Sequence, residues 1–133
     1  MSSYKEKLSI LSEMISFARV GNTINDEEYI FLSSVAQQLG VDEETFDTLF
    51  NEEVEHIIPK SEAERILQFH RLVLLMNVDN KQDLIEISRI HNIGLEMGLP
   101  PSAIEQVLSI MHKYPNKIVP PKVLIDIFKA HYN

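Results

Sequence analysis

Carboxylates and imidazoles are the side chains of this sequence that could support metal or acid–base chemistry, because its 133 residues include no cysteine. Glu53 and His56 form one Glu-x-x-His pattern, which is half of the ligand set of a di-iron helical bundle. Since the pattern occurs only once and such a centre needs two copies, we do not expect a di-iron site. Glu52 and His56 fit better as neighbours one turn apart on a helix.

Sequence motifs for catalysis are missing. Among four glycines there is no phosphate-binding loop, and the chain has neither a Gly-x-Ser-x-Gly elbow nor a His-Glu-x-x-His zinc motif. His70 and His91 lie beside apolar residues, as packed or half-exposed imidazoles do. The sequence therefore predicts a protein that is not an enzyme. An enzyme without a recognisable motif remains the least favoured alternative, because a fold does not fix a function.

The charge of the chain is acidic and unevenly distributed. Lys and Arg number 12 against 20 Asp and Glu, and the net charge of −8 argues against binding to nucleic-acid phosphates. Residues 1–66 hold 5 basic and 14 acidic side chains, whereas residues 67–133 hold 7 basic and 6 acidic ones. The excess acid of the first half serves either solubility or the binding of a cation or a basic partner.

Length and hydropathy predict one globular domain over residues 1–133 without a transmembrane segment. The longest strictly apolar run is residues 72–76, far shorter than the roughly 18 residues that a membrane-spanning helix needs. Residues 1–11 include Lys5, Glu6 and Lys7 and contain no apolar core of signal-peptide length. We therefore expect a cytoplasmic protein.

An internal repeat with an offset of 58 residues organises the chain. Six identities fall in register at this offset, among them Glu28/Glu86 and Gly40/Gly98, and apolar positions match between them. The matched apolar pairs include Leu8/Ile66, Leu11/Phe69, Met14/Leu72, Ile15/Val73, Leu32/Ile90, Val35/Ile93, Leu39/Met97, Phe46/Ile104 and Leu49/Val107. We interpret the pattern as a duplicated three-helix unit, with unit one at about residues 3–58 and unit two at about residues 61–116.

Capping signals predict where the helices begin and end. Four capping boxes mark helix starts: Ser3-x-x-Glu6, Asn25-x-x-Glu28, Ser61-x-x-Glu64 and Asp83-x-x-Glu86. Gly40 and Gly98 fit the ends of the second helices, and Asp42 and Pro100-Pro101 fit the starts of the third helices. After a loop at residues 113–119, a seventh helix follows at about residues 120–131. With strand signals nearly absent, the sequence predicts an all-α fold of about seven helices.

The turns before the second helices resemble those of the tellurite-resistance TerB-like family. That family carries an Asp-Gly-x-Ile-x-x-x-Glu turn and then a helix that ends in Leu-Gly-Leu. Unit one offers Gly21-Asn22-Thr23-Ile24 with Glu28, then Leu39-Gly40-Val41, and unit two offers Asp79-Asn80 with Glu86, then Met97-Gly98-Leu99. The resemblance covers about residues 8–112 and implies an all-helical fold of two pseudo-equivalent units.

The same resemblance implies a cluster of acidic side chains that holds a divalent cation such as Ca²⁺ or Mg²⁺. Carried over by position, the candidate ligands are Glu28, Asp79 and Glu86, and carboxylate oxygens of this kind suit hard cations. Gly21 stands where the family has its first Asp, so one expected carboxylate is missing. The alternative is that Glu28 and Glu86 serve only as the third residues of their capping boxes.

From these features we expect a non-enzymatic helical scaffold or adaptor of TerB-like type. It would present the acidic surface of unit one to a protein partner or an ion, in a stress or metal-resistance context. The alternative is a small regulatory domain that binds a divalent cation through Glu28, Asp79 and Glu86. A homodimer fits domains of this kind, while neither a nucleic acid nor a cofactor is expected.

Overall fold

The computed structural model describes residues 3–19, 23–78 and 84–131. These residues form seven α-helices and no strand, which confirms the all-α fold that the sequence predicts. The helices are α1 Tyr4–Ala18, α2 Asp26–Leu39, α3 Glu43–Thr48, α4 Glu62–Asn77, α5 Leu84–Glu96, α6 Pro101–Ile110 and α7 Pro121–Ala130. Between α6 and α7, where the sequence predicts a loop, the backbone forms two short 3₁₀ turns, Met111–Lys113 and Pro115–Lys117.

The chain divides into two compact units, Met1–Pro59 and Lys60–Asn133. From here on we call them unit one and unit two, so that unit two contains the second repeat copy and also residues 117–133. Unit one contains α1 to α3, and unit two contains α4 to α7 together with the 3₁₀ turns. Residues 52–59 have no regular secondary structure, so the prediction that Glu52 and His56 lie one turn apart on a helix is wrong. The single domain over residues 1–133 stays a prediction.

Helix positions repeat with the same offset as the sequence. The first three helices of the two units begin 58 residues apart, at Tyr4 and Glu62, Asp26 and Leu84, and Glu43 and Pro101. Burial follows this offset in most of the matched pairs. Leu8 and Leu39 are half-buried, whereas their counterparts Ile66 and Met97 are buried. Both members of each of the other pairs are buried. The pairs are Leu11/Phe69, Met14/Leu72, Ile15/Val73, Leu32/Ile90, Val35/Ile93, Phe46/Ile104 and Leu49/Val107. The apolar stripes of the two sequence copies therefore have equivalent structural roles.

Reciprocal capping boxes fix the starts of α1 and α2. Ser3 Oγ accepts from the Glu6 N–H at 3.1 Å, and Glu6 Oε2 accepts from the Ser3 N–H at 2.9 Å. Asn25 Oδ1 accepts from the Glu28 N–H at 2.8 Å, and Glu28 Oε1 accepts from the Asn25 N–H at 3.0 Å. Each box satisfies amide groups that have no partner within the helix. Both boxes were predicted from the sequence and are confirmed.

The starts of α3 and α4 have an N-cap side chain that accepts from an N–H of the first turn, and α6 and α7 begin with proline; at Ser61 this confirms the first half of the predicted capping box. Ser61 Oγ accepts from the Glu64 N–H at 3.1 Å, and the carboxylate of Asp42 accepts from the Thr45 N–H at 2.8 Å. Helices α6 and α7 each begin with a proline, whose missing N–H costs nothing in the first turn. The predicted cap Asp83 lies outside the described residues.

Glycines end the second helix region of each unit in the same way. Gly40 has φ 78° and Gly98 has φ 77°, a left-handed conformation that suits glycine. The N–H of the next residue, Val41 or Leu99, donates to the carbonyl oxygen five residues earlier, at 2.9 and 3.0 Å. Val41 and Leu99 are both buried, so each turn directs an apolar side chain back into its unit. These two predicted helix ends are confirmed.

None of the helices in residues 3–19, 23–78 and 84–131 combines the length and apolar character needed to cross a membrane.

Candidate interaction surface

The three candidate cation ligands have different structural positions. Glu28 is buried in unit one, with 7% of its surface exposed, and its carboxylate accepts the hydrogen bond that completes the α2 capping box. Glu86 is half-buried in the first turn of α5 in unit two, and Asp79 lies outside the described residues. Among the described residues, no three His, Asp or Glu side chains form a group that could hold a metal ion. The divalent-cation site that includes Asp79 stays a prediction.

An aromatic cluster joins α2 to α3 in unit one. It consists of Tyr29 on α2, Phe46 on α3 and Phe50 directly after α3. The Tyr29 ring centroid lies 5.6 Å from that of Phe46 and 5.8 Å from that of Phe50, and the two phenylalanine rings meet edge to face at 5.2 Å. Phe46 is buried, while Tyr29 is 39% exposed. The cluster therefore extends from the core of unit one to its surface.

The hydroxyl of Tyr29 fixes an acidic side chain beside this cluster. It donates a hydrogen bond to Asp47 Oδ1 at 3.0 Å. This hydrogen bond raises the pKa of the Tyr29 hydroxyl above its ordinary value, and loss of hydration and the negative charges of Asp47 and Glu43 raise it further. Tyr29 is therefore a neutral donor at pH 7, and its hydroxyl gives the exposed Asp47 carboxylate a partner on α2.

Exposed carboxylates and an exposed isoleucine lie next to Tyr29. Asp26 and Glu27 are exposed in the first turn of α2. Asp26 lies one turn before Tyr29, and Glu27 lies one turn before Ile30, so the members of each pair are neighbours on the helix surface. Ile30 is 67% exposed, the largest exposure among the described large apolar side chains of unit one. We define the α2–α3 surface by six exposed residues: Asp26, Glu27, Tyr29, Ile30, Glu43 and Asp47.

Cationic side chains are rare around this surface. Residues 20–59 contain 10 Asp and Glu and no Lys or Arg. The preceding cation, Arg19, has its guanidinium carbon 5.4 Å from the ring centre of Phe50, where a cation–π contact contributes about 0.5 to 1 kcal/mol. No described Lys or Arg forms a salt bridge with Asp26, with Glu27 or with any of the three acids of α3. The carboxylates of the surface therefore face solvent without a cationic partner from the described part of the chain.

Unit two has a different contact at the equivalent position. Glu105, which aligns with Asp47 at the repeat offset, has its Oε1 atom 3.8 Å from Nε2 of His91 on α5. Both units thus join their second and third helices through the same acidic position. Sequence reasoning did not identify this contact, although two acids at one repeat position were a signal for it.

Buried polar side chains of α4 hold the segment between α6 and α7. His70 Nε2 lies 3.0 Å from the carbonyl oxygen of Val119, and Asn77 Nδ2 donates to the carbonyl oxygen of Lys117 at 3.3 Å. Burial lowers the pKa of His70, and the adjacent positive charge of Arg71 lowers it further. Because a carbonyl oxygen only accepts, the Nε2 atom of His70 carries the proton. Its role in the described structure is to hold the backbone.

A serine–histidine contact also occurs in unit two. His131 Nδ1 lies 2.8 Å from Ser102 Oγ, and its Nε2 lies 2.8 Å from Gln106 Oε1. If Nε2–H donates to the Gln106 oxygen, the serine hydroxyl donates to Nδ1. Ser102 and Gln106 are exposed to water, which competes for these hydrogen bonds, whereas catalytic hydrogen bonds act in water-excluded sites. We interpret the contact as one that fastens the end of α7 to α6.

Comparisons with known proteins identify no family for the chain. No family model matches it, and neither a curated protein nor a solved structure shows significant similarity to it. The resemblance to the TerB-like family therefore stays a prediction from the turn and helix-end residues.

Proposed function

We propose that this chain is a non-enzymatic helical adaptor that binds a protein partner through the α2–α3 surface of unit one. One observation carries the proposal. Exposed acidic side chains flank two exposed apolar side chains, Tyr29 and Ile30, within 40 residues that lack Lys and Arg. The TerB-like assignment and the stress or metal-resistance setting are supported by the sequence resemblance alone.

Local rigidity supports a binding role for this surface. The start of α2 is fixed by the capping box of Asn25 and Glu28, and the Tyr29 hydroxyl gives the exposed Asp47 carboxylate a hydrogen-bond partner on α2. Side chains that are already ordered lose less conformational entropy when a partner binds. The α2–α3 surface therefore offers a preorganised set of polar and apolar contacts.

Electrostatics also support a protein partner. Residues 1–59 contain 3 Lys and Arg against 12 Asp and Glu, a formal charge of −9, while residues 60–133 contain 9 against 8. A field of one sign steers an oppositely charged partner towards the surface and repels nucleic acid. Since exposed charges are screened, the association rate should fall as the salt concentration rises.

A matched pair of charge variants tests the proposal. Glu43→Gln/Asp47→Asn removes two exposed carboxylates from the α2–α3 surface, and Glu96→Gln/Asp126→Asn removes two exposed carboxylates from unit two. Wild type and both variants would be used as immobilised full chains for affinity capture from an extract of the source cells, with quantitative mass spectrometry. We expect the wild type and the unit-two variant to capture the same proteins, and the α2–α3 variant to lose them. An identical protein set on all three chains would contradict the proposal.

The alternative function, regulation by a bound divalent cation, is not supported by an additional observation. The Glu28 carboxylate already serves the α2 capping box, and a cation would have to compete with that hydrogen bond. We therefore retain the adaptor as the proposed function and treat cation binding as a separate prediction.

A further inference from the structure

We infer that the segment docking on the α2–α3 surface is a short Lys- and Arg-rich stretch with one large apolar side chain. The apolar side chain packs on Ile30 and Tyr29, and the basic side chains pair with the acids on both sides. Because it specifies the partner of the adaptor, this inference rests on the proposed function.

The apolar part of the surface requires an apolar anchor. Ile30 is 67% exposed and Tyr29 is 39% exposed. They are consecutive residues of α2, whose side chains point about 100° apart, so Ile30 offers the main apolar contact and Tyr29 lies at its edge. Burial of such side chains is favourable by about 25 cal/mol per Å² of apolar area. A partner with charged side chains alone would leave the apolar surface of Ile30 exposed to water, whereas a Leu, Ile, Met or Phe side chain of the partner would bury it.

The rim of the surface requires positive charge. Glu27 lies one turn before Ile30, Asp26 lies one turn before Tyr29, and Asp47 contacts the Tyr29 hydroxyl from α3. Asp47 retains acceptor capacity beyond its single bond to Tyr29, because a carboxylate has about four lone-pair sites. Arg and Lys are the donors that match such acceptors, and Arg can bind both oxygens at once. A segment with basic residues on either side of the anchor satisfies both parts of the surface.

A second copy of this chain is the other occupant that charge allows. Residues 106–125 of unit two contain three lysines, Lys113, Lys117 and Lys122, and no Asp or Glu. Two copies nevertheless each carry a net charge of −8 and repel one another at a distance, while a basic segment is attracted. The charge of the whole chain therefore favours a separate basic partner.

Peptide binding tests the inference directly. Fluorescence anisotropy would measure the affinity of the full chain for three labelled peptides of equal length: Lys/Arg-rich with a central Leu, the same with Ser in place of Leu, and Glu-rich with the central Leu. We expect measurable binding of the first peptide, binding about tenfold weaker for the second, and none for the third. Tenfold corresponds to about 1.4 kcal/mol, which is in the range for a partly buried Leu.

Protein variants identify the surface that the peptide contacts. Ile30→Ser removes the apolar contact of α2, and the matched control Ile125→Ser removes a 43% exposed isoleucine from α7. We expect about tenfold weaker binding of the Leu peptide to Ile30→Ser and less than about twofold change with Ile125→Ser. Ile30→Ser should also bind the Leu and Ser peptides equally, because the two substitutions remove the same contact. Circular dichroism would confirm that each variant has the wild-type helix content.

Several results would overturn the inference. Equal affinity for the Leu and Ser peptides would show that the surface recognises charge alone. Equal losses of peptide affinity in Ile30→Ser and Ile125→Ser would show that the peptide does not contact Ile30. The chain could instead self-associate at micromolar concentration and lose this association in Lys113→Glu/Lys117→Glu. That result would show that a second copy of the chain occupies the α2–α3 surface. If no basic peptide binds but affinity capture still depends on Glu43 and Asp47, the adaptor proposal stands and this inference fails. If capture is also independent of those acids, both fail.

Discussion

The hydroxyl of Tyr29 donates a 3.0 Å hydrogen bond to Asp47 and so joins α2 to α3 in unit one. At the equivalent acidic position of unit two, Glu105 lies 3.8 Å from the His91 imidazole. The acid position is common to both copies, but the partners lie at different positions of the second helix, because Tyr29 aligns with Ile87 and His91 aligns with Ser33. In the described part of the chain, an aromatic cluster accompanies this acid in unit one and not in unit two, and Asp47 is part of the α2–α3 surface that we propose for partner binding.

Tyr29→Phe tests the contribution of this bond to stability. The substitution keeps the ring in the aromatic cluster and removes only the hydroxyl, so we expect the free energy of unfolding to fall by about 0.5 to 1 kcal/mol. The decrease in the free energy of unfolding should be near the lower of these values if a water molecule replaces the hydroxyl as the hydrogen-bond donor to Asp47. Urea denaturation followed by circular dichroism would measure the change. Tyr4→Phe is the matched control, because Tyr4 is 51% exposed on α1; equal stabilities for the two variants would show that the bond contributes nothing.

Ionisation of Tyr29 provides a second test of the same bond. The pKa of Tyr29 is raised in the folded state, so the folded protein keeps this proton at a pH where the unfolded chain loses it. The resulting stability is fully present below the ordinary tyrosine pKa of 10.0 and is lost as the pH rises through the folded-state pKa. We therefore expect the stability difference between wild type and Tyr29→Phe to shrink above about pH 10. A difference that stays constant would contradict the assignment.

Features controlled by neighbouring residues could be predicted from the sequence. The capping boxes at Ser3 and Asn25 and the left-handed turns at Gly40 and Gly98 depend on a few adjacent residues, and the structure confirms them. The apolar stripes could be predicted because helical periodicity determines which side chains share a face. These local signals were sufficient for the fold class.

Contacts between helices could not be predicted in the same way. The bond from Tyr29 to Asp47 spans 18 residues, and the contact from His70 to Val119 spans 49, so no periodic pattern connects the partners. The 3₁₀ turn before α7 also contains Asn116 and Lys117 at φ 56° and 59°, and lysine gives no sequence signal for that conformation. The α2–α3 surface depends on such tertiary contacts, whereas the cation ligands came from resemblance alone.

Asn25→Ala tests the capping box of α2. The substitution removes the oxygen that accepts the Glu28 N–H at 2.8 Å, and the loss of such a cap typically costs about 1 kcal/mol. The sequence predicts a similar cost for Asp83→Ala at the start of α5. Gln38→Ala is the control, because Gln38 is exposed inside α2 and alanine favours helices. Neutral results for both cap variants in urea denaturation would mean that the helix starts are misassigned.

Divalent cations are expected to leave the stability of the chain unchanged. The Glu28 carboxylate accepts from the Asn25 N–H at 3.0 Å, and Gly21 supplies no carboxylate where the TerB-like turn has one. A cation would therefore have to disrupt a cap to gain an incomplete ligand set. Thermal denaturation and isothermal titration calorimetry with millimolar Ca²⁺, Mg²⁺, Mn²⁺ and Zn²⁺ would test this. A rise in Tm that disappears in Glu86→Gln would support the alternative function instead, since a ligand that binds only the folded state stabilises it.

His70 is expected to make unit two less stable in mild acid. Burial lowers its pKa below the ordinary value of 6.5, so the unfolded chain binds a proton at a pH where the folded protein does not. The stability contribution is therefore fully present above about pH 6.5 and is lost as the pH falls through the folded-state pKa. In His70→Gln, whose amide can still donate to the Val119 carbonyl, urea midpoints between about pH 7.5 and 5 should depend less on pH. His112→Gln replaces an exposed imidazole and should keep the wild-type dependence; if both variants matched wild type, His70 would not be the titrating group.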